Sequence, residues 1–376
     1  MARIGLDAIH LSLNGTGVSR FEECFIQELA GHTAEHEFVV FVDASLPASR
    51  LPVAPHLTYA RVRKTQLLIW EQVELPALAR RYDLDLIQTC SDRLPVFSFR
   101  PVVMYTFEIP DYRHHFKRHA MAYQIVSDKL TERLFPHSIR KAARILVSSR
   151  STYNDLVRRY SVPPDKMSIV YPGAARIFEP CQNPAKKQAV RAKLNAPDGY
   201  VLHFSSAQDP RDNTPVALRA FNASIRKLQH KKKLVIGGNC DLKSQGLMSL
   251  VRELGLQDRL ILPGFVQGRT LLELYWGADV YLDPSLYEGF GFQVLEAMAC
   301  GIPVICSNTT SLPEILGDAG IMAYSTDVDG FSLAMARVLA EPGLAESMRT
   351  QGLARAASFS WSRTVDMALK AYAEIL

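Results

Sequence analysis

The sequence predicts an α/β protein with parallel sheets in two domains, and three observations carry that expectation. The chain has 376 residues, more than one hydrophobic core usually serves. Apolar strand-like runs alternate with helix-forming runs along most of its length. The stretch 280–306, VYLDPSLYEGFGFQVLEAMACGIPVIC, reads as a complete βαβ unit: an apolar strand, a glycine turn, a helix over 293–299, a Gly301-Ile302-Pro303 stop and a second strand. In open parallel sheets ligands bind beyond the carboxyl ends of the strands, where the 285–292 loop falls.

Residues 4–13 read as the first strand, leading through Asn14-Gly15-Thr16-Gly17-Val18-Ser19 into a helix over about 20–30. Gly15 and Gly17 permit close backbone approach before a helix start, but Arg20 stands where a dinucleotide-binding GxGxxG would have its third glycine. A nicotinamide-dependent dehydrogenase is therefore a poor reading. Strands follow at 37–43, 84–90 and 101–106, with an amphipathic helix over 67–80. The Asp83-Leu84-Asp85 triplet sits at a strand entrance, where solvated edge carboxylates are the default over a metal site. Residues 112–144 are basic and amphipathic, so they read either as a solvated helical face or as a segment lying on an anionic membrane. His114 and His115 within them read as wet loop residues or acceptor contacts.

A strand at 143–149, a helix from 150 and a strand at 167–171 complete the first domain, placed at 1–180. The turn- and charge-rich 178–199 segment is the link to a second domain at 195–355. That domain has strands at 200–205, 234–236 and 260–262 and helices at 215–226, near 242–254 and at 271–276, followed by the 280–306 unit. Helices over 331–340 and 344–356 follow a short helix start at 313–315, and 361–376 is long enough to pack back across the first domain.

Composition narrows the class. An apolar share of 48% and a charged share of 22% are ordinary for a globular protein, and a net charge of +5 suits anionic ligands without marking a nucleic-acid binder. Six cysteines without CxxC spacing read as free thiols, not as a disulfide framework or zinc site. No apolar run reaches the roughly 20 residues that cross a bilayer. A cytoplasmic location is expected, with attachment at the inner membrane face left open.

Two α/β domains with ligand-facing loops imply a cleft suited to a nucleotide joined through a diphosphate to a polar group. Backbone amides of Phe290, Gly291 and Phe292, and of the loop at Gly15 and Gly17, suit the phosphates. Glu296 suits a ribose, Glu288 lies at the opposite polar end, and the loops at Gly237 and Gly264–Val266 suit a base. Bond breaking at an anomeric carbon would need charge stabilised on the leaving diphosphate, which a helix start and cations supply.

The segment DPSLYEGFGFQVLEAMACGIPVICSNTTSLPEI resembles the central motif of the retaining GT-B glycosyltransferases of family 4, in which two glutamates bracket seven residues; here they are Glu288 and Glu296. NGTGVSRF, ILVSSRSTYNDL, VYPGA, DPRDN, GFVQGRTLLELYWGADVYLDPS and FSWSRTVDMALKAY extend the resemblance over nearly the whole chain. It implies two Rossmann-like domains with an interdomain cleft, the C-terminal one holding a nucleotide sugar and the N-terminal one the acceptor, with 356–376 crossing back. It also implies that Glu288 contacts the donor sugar, Glu296 the ribose and 290–292 the diphosphate, while Gly15 and Gly17 approach the phosphates, with no structural metal. GDP-mannose is one candidate donor, with UDP- and dTDP-sugars open, and the acceptor is a glycan, a lipid-linked glycan or a small molecule. Two departures stand out. Arg211-Asp212-Asn213 replaces the family's Arg-Lys-Asn, leaving Arg211 to supply the charge, and where the family commonly has a His-Asp pair the sequence reads Thr106-Phe107-Glu108-Ile109-Pro110, without the His. Both departures favour the alternative of a catalytically weak sugar-nucleotide-binding scaffold.

Overall fold

The computed structural model describes the chain except residues 14, 33, 34, 64, 112–121, 206–208, 241 and 243–245, and side chains are described from 127 onward in the helix that begins at Ala122. His114, His115 and the start of the basic segment therefore lie outside the described residues. The described residues form two compact units, one of 1–173 with 360–376 and one of 174–359.

The first unit runs β1 (Arg3–Asp7), α1 (Gly17–Gly31), β2 (Glu37–Asp43), β3 (Leu57–Val62), α2 (Leu67–Ile69), a π-turn at Trp70–Glu74, α3 (Leu75–Arg81), β4 (Leu86–Thr89), β5 (Val102–Thr106), α4 (Ala122–Lys141), β6 (Arg144–Val147), α5 (Arg150–Tyr160) and β7 (Met167–Ile169). Its strands form one parallel sheet in the order β3-β2-β1-β4-β5-β6-β7, which reverses direction between β1 and β4. The central strands are buried on both faces and so read as continuous apolar runs, as in EFVVFVD.

Several boundaries differ from the sequence expectation. The first strand stops at Asp7 instead of running to 13, because the Asp7 carboxylate is drawn inward by Trp70 Nε1 (3.0 Å) and Thr89 Oγ1 (2.8 Å) and residues 9–12 tighten into a 3-10 turn. Helix α1 starts three residues early, at Gly17, since Thr16 caps it by accepting from the Ser19 N–H at 3.1 Å. The Asp83–Asp85 carboxylates go to separate partners, Asp83 to Arg100 at 2.8 Å and Asp85 to the Arg3 N–H at 2.8 Å.

The second unit runs α6 (Pro184–Lys193), β8 (Tyr200–Phe204), α7 (Thr214–Leu228), β9 (Lys233–Gly237), α8 (Leu247–Glu253), β10 (Leu260–Gly264), α9 (Gly268–Gly277), β11 (Ala278–Asp283), α10 (Phe292–Ala299), β12 (Val304–Ser307), α11 (Leu312–Leu316), β13 (Ile321–Ala323), α12 (Val328–Ala340) and α13 (Pro342–Ala357). All six strands are parallel in the order β10-β9-β8-β11-β12-β13, so the direction of winding reverses between β8 and β11. Helices α7 and α12 cover one face with Leu218, Phe221, Phe331 and Met335, all fully buried.

The last helix, α14 (Trp361–Ala373), belongs to the first unit. Trp361 lies against Phe21 at 5.6 Å, the Thr364 hydroxyl donates to Tyr171 O at 2.6 Å, and the buried Tyr372 hydroxyl bonds Gln88 of β4. All six cysteines are free thiols. Among the described residues no helix is long and apolar enough to cross a membrane.

Candidate functional site

In the second unit the winding reverses between β8 and β11, and this is where an open α/β sheet leaves a crevice for ligand. The described residues that follow these two strands, 209–213 and 284–291, are tied to each other. Leu286 N–H donates to Arg211 O at 2.8 Å. Asn213 Nδ2 donates to Pro284 O at 2.9 Å and to Ser325 O, beyond β13, at 2.7 Å. Asn213 is buried and adopts a left-handed conformation (φ 53°), which asparagine tolerates better than most residues. One amide thus fixes three loops at the carboxyl edge.

The Glu288 loop is held by hydroxyls. Ser285 sits on Asp283 through its N–H (3.2 Å) and its hydroxyl (2.6 Å), and it also reaches Glu288 Oε1 at 3.2 Å. Thr310 Oγ1 accepts the Glu288 N–H at 2.9 Å, and Ser311 donates to Glu288 O at 2.9 Å. Glu288, half-buried, is therefore positioned through both backbone and side chain. The signal for this bracing was the Ser307-Asn308-Thr309-Thr310-Ser311 run after β12, which sequence reasoning did not use.

Gly291 caps α10 with φ 99°, and a Cβ there would meet Leu312 Cδ2 at 2.7 Å, so the loop requires glycine. The cap carries no side chain to take the first-turn N–H groups of α10. The Phe290 and Phe292 rings point inward, 2% and 8% exposed and 5.0 Å apart, which leaves the backbone as the part of this segment able to meet a ligand. One turn into the helix, Glu296 is 1% exposed, and its Oε2 accepts from the Tyr275 hydroxyl at 2.9 Å. Tyr275 is itself fixed among Phe178, Phe204 and Tyr281, so the carboxylate has a set orientation.

Arg211 is held by the residue two before it. Its Nε lies 2.9 Å from both Asp209 oxygens and its Nη2 2.5 Å from one of them, so this side of the guanidinium already faces a carboxylate. Asp212 shares the 3-10 turn Pro210–Asp212. On the other side of the crevice, Gly237 is packed so closely under Phe204 that a Cβ would lie 2.6 Å from its ring. The N–H of the next residue, Gly238, donates to Gly264 O at 3.0 Å, which joins that loop to the one carrying half-buried Val266. Beneath the crevice buried His203 links Leu282 O (3.1 Å) to Thr214 Oγ1 (3.2 Å), and burial lowers its pKa so that it stays neutral.

The equivalent reversal in the first unit, between β1 and β4, carries Gly15 (φ 82°) and Gly17, the first residue of α1. Close by in sequence, His10 Nδ1 lies 2.9 Å from Glu22 Oε1 in a buried pair. Burial pushes Glu22 up to about 7, against the opposing pull of His10. For His10, burial is outweighed by the charge and hydrogen bond of Glu22, which together raise it to about 9. After β5, the Phe107 ring packs on Phe21 (5.5 Å) and Tyr105 (5.0 Å), and its carbonyl accepts from Ser148 and Thr152. Among the described residues no group of three or more His, Cys, Asp or Glu side chains could hold a metal ion.

Two family models match the chain: glycosyltransferase family 4 over residues 16–175 and glycosyl transferases group 1 over 186–355. This chain belongs to glycosyltransferase family 4. The Escherichia coli O-antigen chain mannosyltransferase B is 32% identical over 242 residues, 64% of this chain and 63% of that protein. A D-inositol 3-phosphate glycosyltransferase from Saccharomonospora viridis is 33% identical over 251 residues, 63% of this chain and 57% of that one. The chain thus matches less than two thirds of the length of these relatives. Among solved structures, sucrose-phosphate synthase from Thermosynechococcus elongatus superposes with a TM-score of 0.76 at 21% identity, covering 100% of this chain and 99% of the other. Anabaena HepE in complex with UDP-glucose gives 0.77 at 14% identity, with 100% of both chains covered. These likenesses confirm the fold as GT-B, with two Rossmann-like sheets.

Proposed function

We propose that this family 4 protein is a retaining glycosyltransferase that moves a hexose from a nucleotide-diphosphate sugar to a glycan, lipid-linked or small-molecule acceptor. The observation that carries the reading is the Glu288 loop, Gly291 cap and Glu296 assembled at the β8–β11 reversal. In this reading Glu296 accepts from the ribose hydroxyls, and the first turn of α10 faces the diphosphate with its N–H groups. Glu288 orients the donor hexose, and the Gly237 and Val266 loops flank the base. Gly15 and Gly17 serve the donor phosphates. Mannose from GDP-mannose is the leading donor, since the O-antigen relative is named a mannosyltransferase. The work belongs in the cytoplasm, at the inner membrane face when the acceptor is lipid-linked.

In the reaction the bond from the anomeric carbon to the β-phosphate oxygen breaks, and negative charge grows on that oxygen. The α10 helix start and Arg211 stabilise the charge where it develops, with Arg211 turning part of its fork from Asp209. The acceptor hydroxyl attacks from the face the diphosphate leaves, so configuration is kept. Its proton passes to the departing phosphate, which spares the protein a separate base. No resident metal is invoked.

A second reading, a sugar-nucleotide-binding scaffold of low activity, draws support from Arg211 lying already against Asp209 and from the Phe107 ring packed on Phe21 and Tyr105. The two readings separate when the protein is incubated with GDP-, UDP-, ADP- and dTDP-sugars and a panel of acceptors. Release of nucleoside diphosphate together with an α-linked product from an α-donor supports transfer. Tight nucleotide binding without product across the panel supports the scaffold.

A further inference from the structure

The run 307–311 carries four hydroxyls, and three of them do the same thing. Ser307 and Thr309 donate to Ser285 O at 2.6 and 3.0 Å, and Ser311 donates to Glu288 O at 2.9 Å. Thr310 does the reverse. Its Oγ1 accepts the Glu288 N–H at 2.9 Å, and its own hydroxyl hydrogen meets no acceptor among the described residues. The residue is half-buried at the carboxyl edge of the second sheet, not sealed in the core.

The backbone at Thr310 is unusual as well. Among the described residues six other than glycine have positive φ, and of these Thr310 (φ 49°) alone has a branched β-carbon. A branched side chain is strained in the left-handed region, and such strain collects at ligand clamps where the surroundings hold it. Here the bonds of Thr310 and Ser311 to the N–H and carbonyl of Glu288 hold it. Two residues on, Leu312 lies against Gly291, where a Cβ would sit 2.7 Å from Leu312 Cδ2. Residues 310–312 therefore run beside 288–291, with Thr310 at the Glu288 end and Leu312 at the start of α10.

Resting on the nucleotide-sugar reading of this loop, we propose that the Thr310 hydroxyl donates to a β-phosphate oxygen of the donor and joins the α10 start in stabilising the charge that grows there. The sorting of donors and acceptors selects the phosphate over the hexose. Hexose hydroxyls bring hydrogens, which the Glu288 carboxylate accepts, whereas a phosphate oxygen brings none and needs a donor. A hydroxyl that already accepts an N–H donates its own hydrogen more strongly. Arg211 lies against Asp209 with Asp212 beside it, so neutral donors count for more at this edge.

Calorimetric titration of GDP, GMP, UDP and UMP into wild type, Thr310→Val, Thr310→Gly and Thr310→Ser tests the contact. Wild type is expected to prefer the diphosphate of one base over its monophosphate. Valine keeps the branched shape and glycine relaxes the backbone, and both lack the hydroxyl. Each is expected to lose about fivefold or more of that preference while monophosphate affinity stays within about twofold. Turnover of GDP-mannose or UDP-glucose, whichever matches the preferred base, should fall about tenfold or more in both. Thr310→Ser keeps the hydroxyl and is expected to restore both quantities. A merely structural Thr310 would lower mono- and diphosphate affinity alike, and that result overturns the proposal, as does a serine variant as impaired as the valine one. If Thr310→Val does not fold, Thr310→Gly carries the test free of the strain. Wild type that binds neither diphosphate sinks the nucleotide-sugar reading itself, whereas a diphosphate preference retained in the valine and glycine variants sinks the Thr310 contact alone.

Discussion

Replacing Asn213 by alanine tests whether the three carboxyl-edge loops of the second unit stand or fall together. The amide makes two buried hydrogen bonds, to Pro284 O and Ser325 O, and the backbone sits at φ 53°. Alanine deletes both donors and must hold the left-handed conformation, which costs an L-residue about 1–2 kcal/mol. Each buried carbonyl left unpaired costs about 1–3 kcal/mol, at the low end where water reaches it. The sum for Asn213→Ala is about 3–4 kcal/mol. Asn213→Gly also loses both bonds but relaxes the backbone, so it should recover about 1 kcal/mol of that loss. Urea unfolding followed by circular dichroism and tryptophan fluorescence measures both, and nucleotide titration measures the loosened loops. An alanine variant within about 0.5 kcal/mol of wild type, or a glycine variant no more stable than the alanine one, would refute the reasoning.

Other consequences follow from the same geometry. Gly291→Ala sets a Cβ 2.7 Å from Leu312 Cδ2 at φ 99°, so it should destabilise by about 2 kcal/mol or more and weaken nucleotide binding; unchanged melting would contradict the required glycine. His10 and Glu22 both hold protons more tightly folded than unfolded, at about 9 against 6.5 and about 7 against 4.5. Folding therefore takes up protons across that range, and this pair's contribution to stability is largest at low pH and lost as pH rises through about 7 and then about 9. His10→Gln/Glu22→Gln should flatten the slope of stability against pH, and an unaltered slope would remove the pair as its source. Glu288→Gln keeps the backbone bonds to Thr310 and Ser311, so it should fold normally while transfer falls about 100-fold or more. Retained turnover would place donor-sugar contact elsewhere.

Much of the second unit was legible because its signals are local. The 280–306 stretch alternates apolar strand, glycine turn and helix within 27 residues, and the structure returns β11, the Gly291 cap, α10 and β12 in that order. The elements missed were β3 and β13, strands at the edges of their sheets, whose partly exposed residues dilute the apolar pattern of a central strand, and α6, a mostly exposed helix within the charge-rich 178–199 segment read as a link. The tertiary bracing was not legible either. Asn213 reaches a carbonyl 112 positions away, and Tyr275 reaches Glu296 across 21 residues, spacings that leave no periodic trace. Asp209 as the partner of Arg211 is a local feature of DPRDN, where the two residues stand two apart.

The account depends on a nucleoside diphosphate bound in the second unit with Glu296 as its ribose contact. Calorimetric titration of GDP, UDP, ADP and dTDP into wild type, Glu296→Ala and Tyr275→Phe measures this directly. Tyr275→Phe serves as the control because it removes the hydroxyl on Glu296 Oε2 while keeping the carboxylate. One nucleotide is expected to bind wild type and Tyr275→Phe within a factor of about 5, and Glu296→Ala about 10-fold or more weaker. Equal binding by wild type and a folded Glu296→Ala, or no binding by wild type of any of the four, would contradict it.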